Sequence, residues 1–125
     1  MPTDFYIFTL HVKYAIDKGA LAFYASFVEV RFGNDRLDRL ETDRDYDGGY
    51  SLAIVKAFRK RMQLIRSAPD ERDFYKLASL HFEKLKGNRD HQYSMRLNDQ
   101  WRLILELAGI PPHKVVVIVE IEDYH

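Results

Sequence analysis

The sequence predicts an α+β domain in which two N-terminal helices pack on one face of a twisted antiparallel β-sheet. Two stretches with helical caps and helical periodicity come first, at residues 34–41 and 51–67. They are followed by segments in which apolar and polar residues alternate, at residues 80–85, 92–97, 101–107 and 115–123. Short turns separate these segments, so we expect consecutive strands to pair as a meander and to leave the second face of the sheet open.

Composition and charge indicate one small intracellular domain. The chain has 125 residues, enough for a single modest core, and no cysteine, which excludes disulfides and thiolate metal sites. No apolar run is long enough to span a membrane, and the first residues lack the pattern of a secretion signal, so we expect a cytoplasmic protein. The net charge is zero, but the stretch from Lys56 to Arg102 has twelve basic residues against six acids. One face is therefore predicted to be cationic.

The first strand and helix are predicted from about residue 28 onwards. The alternation from Val28 to Phe32 predicts a strand, and Asn34 is suited to cap a helix that runs to about Glu41. Residues 1–26 show no clear period, and we interpret them as an N-terminal extension to a domain at residues 27–125. The extension is either genuine or translated from sequence upstream of the true start.

The clearest helix begins after Ser51 and is expected to stop before Pro69, which cannot continue it. Its buried stripe is formed by apolar residues at spacings of three and four: Val55, Phe58, Met62 and Ile65. Basic residues are predicted on its outer face: Lys56, Arg59, Lys60, Arg61 and Arg66. Such a face is either simply solvated or receives an acidic partner or RNA phosphates.

Two arginines are predicted to face each other across a hairpin. Residues 92–97 and 101–107 alternate, and the connection between them, Asn98 to Gln100, consists of turn formers. This register sets Arg96 opposite Arg102. Like charges in such positions destabilise a sheet by roughly 0.2–1 kcal/mol. Either an anion lies between the two arginines, or each finds its own carboxylate.

Three motifs in the second half of the chain carry a family resemblance: LKG at 85–87, YSMRLNDQWR at 93–102, and the terminal Asp123, Tyr124 and His125. In this order and spacing they resemble the HigB toxins of the RelE/ParE superfamily, which are plasmid maintenance killer proteins of bacterial toxin–antitoxin pairs. The resemblance extends loosely back to about Val28. It implies a RelE-like fold and a ribosome-dependent endoribonuclease that cuts mRNA and so inhibits translation.

The resemblance also implies a catalytic site. RNA carries its own nucleophile, the 2′-hydroxyl, so cleavage needs a base, an acid and cations, and no metal or other cofactor. The terminal imidazole of His125, beside Asp123, is suited to be the acid, and Tyr124 to stack on or orient a base. Arg102 and Arg96 are suited to stabilise the phosphorane. The predicted RNA-binding residues are Lys86, Arg89 and Arg96. In the meander, the turn at 98–100 and the residues 123–125 are expected at one rim of the sheet, and Lys86 and Arg89 towards the other.

One position departs from the family pattern. HigB proteins can carry a second functional histidine three residues before the LKG lysine, where this chain has Glu83. His81 lies two residues earlier, and residues two apart on a strand share a face. Either His81 or Glu83 is then the base, or the activity is weak.

The implied partners are a HigA-like helix-turn-helix antitoxin, the ribosome with its mRNA, and operator DNA reached through the antitoxin. Two alternatives remain open at this point: a ParE-like inhibitor of DNA gyrase, and a weakly toxic module that binds antitoxin and operator. The terminal Asp-Tyr-His favours the nuclease.

Overall fold

The computed structural model describes residues 28–110 and 113–124. The predicted extension at residues 1–26, the predicted Pro111-Pro112 turn and His125 therefore lie outside the described residues. In chain order the elements are β1 (Glu29–Phe32), α1 (Asp35–Thr42), α2 (Leu52–Ser67), α3 (Arg72–Lys76), β2 (Glu83–Lys84), β3 (Gln92–Arg96), β4 (Trp101–Ile110) and β5 (His113–Asp123). No helix among these residues is long and apolar enough to cross a membrane.

The five strands form one sheet in the order β1-β5-β4-β3-β2. Strands β2 to β5 pair antiparallel with their chain neighbours, as the meander predicts. The first strand, β1, instead lies parallel to β5, with Val30 beside Val116. The sheet is therefore mixed, and the prediction of a wholly antiparallel sheet is wrong at this edge.

The two predicted helices begin at their predicted caps. The side chain of Asn34 accepts a hydrogen bond from the backbone N–H of Leu37, and that of Ser51 accepts one from Ile54. Helix α2 ends two residues before Pro69, and its apolar stripe is buried against the sheet. The described residues contain a third short helix, α3, so the count of two helices is not confirmed.

Three arginines of α2 point towards the rest of the fold rather than outwards, unlike the prediction. Arg59 donates to backbone carbonyls at the end of α1 and in the segment that follows it: those of Leu40, Asp43, Arg44 and Tyr46. Arg66 forms a paired hydrogen bond with the Glu41 carboxylate at 2.6 and 2.7 Å. Arg61 donates to the carbonyl of Arg96 at 2.8 Å. The exposed basic residues of this helix are Lys56 and Lys60.

The strand predicted at residues 80–85 is much shorter than expected. Residues Ala78–Leu80 form a 3-10 turn, and β2 consists of Glu83 and Lys84 alone. His81 between them has a left-handed backbone with φ of 47°. A left-handed residue cannot continue a strand, so His81 and Glu83 do not share a strand face as predicted.

Candidate active site

The candidate site is built around the pair of facing arginines. Arg96 on β3 lies directly across from Arg102 on β4, in the predicted register. In the neighbouring pair the Leu97 N–H donates a ladder hydrogen bond to the Trp101 carbonyl at 2.9 Å. The arginines therefore form a non-hydrogen-bonded pair, the kind in which facing side chains lie closer together.

Arg96 is neutralised within the chain. Its guanidinium forms an ion pair with the exposed carboxylate of Asp99 in the β3–β4 turn, and its Nε donates to the carbonyl of Asn98 at 3.3 Å. Its Nη1 lies 3.5 Å from Nε2 of His81. His81 is thus beside Arg96, although it is not in a strand.

Arg102 is not neutralised in the same way. Its guanidinium carbon lies 4.5 Å from the centre of the Tyr124 ring, in a cation–π contact. Its Nε and Nη1 are buried and make no hydrogen bond in the described part of the chain. Glu122, which lies directly across from Arg102 on β5, is paired instead with Arg89 at 3.1 Å. Arg102 therefore has two buried donors that lack an acceptor among the described residues.

Asp123 and Tyr124 are hydrogen-bonded to the β3–β4 turn. Asp123 pairs with Trp101 across the ladder and accepts a hydrogen bond from the Gln100 side chain at 3.1 Å. The backbone N–H of Tyr124 donates to the Gln100 carbonyl at 2.6 Å. Asp123 and Tyr124 thus lie at the same rim as the turn, as predicted. His125, the residue predicted to be the acid, follows directly.

An aromatic cluster holds the segment that carries His81. Phe82 is buried and stacks on Tyr93 at 5.2 Å between ring centres, and it meets Phe74 and Tyr75 edge to face. Glu83, the second candidate base, is exposed and pairs with Ser94 on β3. The measured contacts therefore join His81, rather than Glu83, to the arginine pair.

The two other predicted RNA-binding residues differ in position. Lys86 is exposed at the far rim, where the left-handed backbone of Gly87, with φ of 70°, turns the chain away from β2. Arg89 was expected at that rim, but it bonds both Gln92 on β3 and Glu122 on β5. Its side chain therefore crosses β4 and ends at Glu122, the residue opposite Arg102 on β5.

The sequence predicted an open, cationic sheet face. The face around the arginines is neither fully open nor wholly cationic. Ser94 and Ile104 at its centre are buried. Carboxylates alternate with the cations across it: Glu83, Glu106, Glu120 and Glu122. The described residues contain no cluster of His, Asp or Glu suited to a metal ion. The chemistry that the arrangement supports is the binding of one anionic group at Arg102, between Tyr124 and Arg96.

The predictions missed several residues of the site. Asp99 and Glu122 were not predicted to pair with Arg96 and Arg89, and Gln100 was treated only as a turn former. The register itself contained a signal for Glu122, because a β4–β5 hairpin that sets Trp101 opposite Asp123 also sets Arg102 opposite Glu122.

Comparison with known proteins identifies the family. A model for the HigB-like toxin, the RelE-like toxin of type II toxin-antitoxin system HigB, matches residues 30–125. No curated protein matches the sequence. A YoeB/ParE toxin from Agrobacterium tumefaciens superposes with a TM-score of 0.51 at 12% identity, covering 77% of this chain and 98% of that one. A YoeB-YefM complex from Staphylococcus aureus gives a TM-score of 0.48 at 20% identity, covering 78% and 97%.

The first superposition supports the predicted RelE-type α+β fold, and the family match spans most of the chain. The chain therefore belongs to the HigB-like family, the RelE-like toxins of type II toxin-antitoxin systems.

Proposed function

We propose that this toxin is a ribosome-dependent endoribonuclease that cuts mRNA by attack of the RNA 2′-hydroxyl on the adjacent phosphate. The observation that carries the proposal is the pair of buried, unpaired donors on Arg102. Leaving buried charged donors without a partner costs more than the roughly 1–3 kcal/mol of a neutral group. A phosphate has the acceptor oxygens that the planar guanidinium fork requires.

Each residue at the rim has a role in this proposal. Arg102 binds the non-bridging oxygens of the scissile phosphate and stabilises the charge that gathers on them in the transition state. Tyr124, stacked on Arg102, fixes its orientation and offers a ring edge to a neighbouring base. Arg96 supplies a second cation once the exposed Asp99 carboxylate moves aside. Asp123, two residues before His125, orients it as the general acid for the departing 5′-oxygen.

His81 is the general base of the proposed reaction, because its Nε2 lies beside Arg96 while Glu83 faces Ser94. Lys86 and Arg89 bind flanking phosphates. The type II family membership supports an antitoxin partner. In this proposal the antitoxin is of the helix-turn-helix class, and the other partner is the ribosome with its mRNA in the cytoplasm. Operator DNA is reached through the antitoxin.

A cell-free translation extract tests the proposal. The wild-type protein is expected to cut mRNA only when ribosomes are present, leaving the 2′,3′-cyclic phosphate that attack by the 2′-hydroxyl produces. Arg102→Met should reduce the cleavage rate on the order of 10²-fold or more. Arg31→Met is the matched control, because Arg31 lies on β1, at the other edge of the sheet, and pairs with Glu29.

Other outcomes have distinct meanings. If the mRNA stays intact and supercoiling by DNA gyrase is inhibited, the protein is a gyrase inhibitor and not a nuclease. If neither mRNA cleavage nor gyrase inhibition is observed and the protein still binds antitoxin and operator DNA, it is only a binding module. In cells, deletion of His125 should relieve the growth arrest that the unpartnered toxin causes.

A further inference from the structure

The carbonyl of Arg96 lies at a gap in the sheet. On β3 the residues 92, 94 and 96 direct their backbone groups towards β2, as the bond from the Leu85 N–H to the Gln92 carbonyl shows. Strand β2 begins only at Glu83, which pairs with Ser94. His81, two residues earlier in the chain, is left-handed and does not extend the strand. Among the described residues no strand bonds the Arg96 carbonyl, although Arg96 belongs to the proposed site.

Helix α2 fills this gap. The Nε of Arg61 donates to the Arg96 carbonyl at 2.8 Å across the boundary between the helix layer and the sheet. In the described part of the chain Arg61 has no carboxylate partner. Its pKa is lowered, first by burial and second by the charge of Arg96. The contact thus keeps a partly buried cation without a neutralising carboxylate, which stability alone does not favour.

We infer that Arg61 is a positioning residue, which fixes the end of β3 so that Arg96 and the β3–β4 turn meet the substrate. The inference rests on the proposed nuclease function. The same backbone contact controls two parts of the site. It locates the Arg96 side chain beside His81, and it precedes the turn whose Gln100 holds Asp123 and Tyr124. Arg61 itself need not touch the RNA.

The surroundings of Arg61 permit a sharp test. Its guanidinium lines an open groove of about 560 Å³ on the outside of α2, together with Leu97 and Gln63. Removal of the Arg61 head group leaves a space that a small guanidinium ion can enter from solvent. The ion can then donate to the Arg96 carbonyl in place of the side chain, which is a form of chemical rescue.

The experiment compares the wild type, Arg61→Ala and the control Gln63→Ala in single-turnover cleavage on programmed ribosomes. Arg61→Ala should lower the maximal rate about 10- to 100-fold, because small misplacements of a catalytic group have effects of that size. The half-saturating ribosome concentration should change by less than about twofold. Methylguanidinium, below denaturing concentrations, should restore at least part of the rate of Arg61→Ala and leave Gln63→Ala unchanged.

A second readout does not require RNA. Hydrogen exchange of the Leu97 amide, which donates to Trp101 next to the Arg96 carbonyl, should become faster in Arg61→Ala and slow again with methylguanidinium. An unchanged Leu97 amide and a cleavage rate within about twofold of wild type would overturn the inference. So would a loss of rate that matches a loss of folded protein and resists the added ion. Failure of the nuclease itself would appear differently, as an inactive wild type or a fully active Arg102→Met.

Discussion

Arg96 and Arg102 lie directly opposite each other on β3 and β4, but only Arg96 has a carboxylate partner among the described residues. The sequence left two outcomes open for this pair, an anion between the arginines or a separate carboxylate for each. In the structure Arg96 has its own carboxylate, whereas Arg102 has none among the described residues. Asp99 neutralises Arg96 from an exposed turn, and Arg102 retains buried donors beneath Tyr124.

This asymmetry predicts a stability gain from losing a functional residue. Arg102→Met removes two buried donors that have no partner, while methionine preserves much of the apolar contact with Tyr124. We expect thermal unfolding of the free toxin to stay unchanged or to rise, although cleavage is lost. Differential scanning calorimetry measures this directly. A fall of several degrees would mean that Arg102 is structural in the free protein.

The choice of base is the second prediction. His81→Asn keeps a residue that tolerates the left-handed backbone and removes the imidazole, and Glu83→Gln removes only a charge. We expect His81→Asn to lose on the order of 10²-fold in single-turnover rate and Glu83→Gln little. The pH profile gives an independent check, because imidazoles ordinarily titrate near 6.5 and carboxylates near 4.3. Equal effects of the two variants would remove the assignment of His81.

Arg59 is predicted to act on stability rather than on RNA or a partner. It donates to the backbone carbonyl of Leu40 in the last turn of α1 and to three backbone carbonyls of the segment that joins α1 to α2. Arg59→Met should lower the free energy of unfolding by on the order of 2 kcal/mol in urea titrations. The exposed neighbour provides the control, because Lys60→Met should change it by less than about 0.5 kcal/mol.

Asp70 gives a prediction about acid stability. Its carboxylate accepts from the Arg72 backbone N–H at 2.9 Å, the main reason that its pKa lies below the ordinary 3.8, and Lys114 adds a further bond. A group with a depressed pKa stabilises the fold above its unfolded pKa and loses that effect as the pH falls through the folded one. Stability should therefore decline below about pH 4.

Asp70→Asn tests the assignment. The variant should be less stable than the wild type at neutral pH and should lose less stability on acidification. Asp45→Asn, at an exposed turn carboxylate, is the control. Parallel acid curves for the wild type and Asp70→Asn would contradict the prediction.

The sequence predicted best what local chemistry determines. The caps at Asn34 and Ser51, the end of α2 before Pro69 and the register of Arg96 against Arg102 all depend on residues a few positions apart. The pairing of β1 with β5 was missed because it joins segments more than 80 residues apart, and no periodicity reports such a contact. His81 was assigned to a strand because alternation alone does not detect a left-handed residue.

The arginines of α2 were wrongly predicted to lie on the outer face, although the helical periodicity indicates where each of them points. On a helix with 3.6 residues per turn, Arg59, Arg61 and Arg66 fall at the borders of the buried stripe, whereas Lys56 and Lys60 fall opposite it. Long side chains at such borders can reach across to neighbouring backbone. All five were treated as one outer face, and so the arginines that connect the layers were missed.

The brevity of β2 also bears on how the toxin behaves in solution. With two residues, one of them Lys84, this edge offers almost no continuous row of backbone groups with which a strand of another molecule can pair. The long strands β4 and β5, of ten and eleven residues, lie inside the sheet. The fold thus keeps its most aggregation-prone segments paired, and we expect the purified toxin to remain monodisperse at concentrations where a longer exposed edge would promote aggregation.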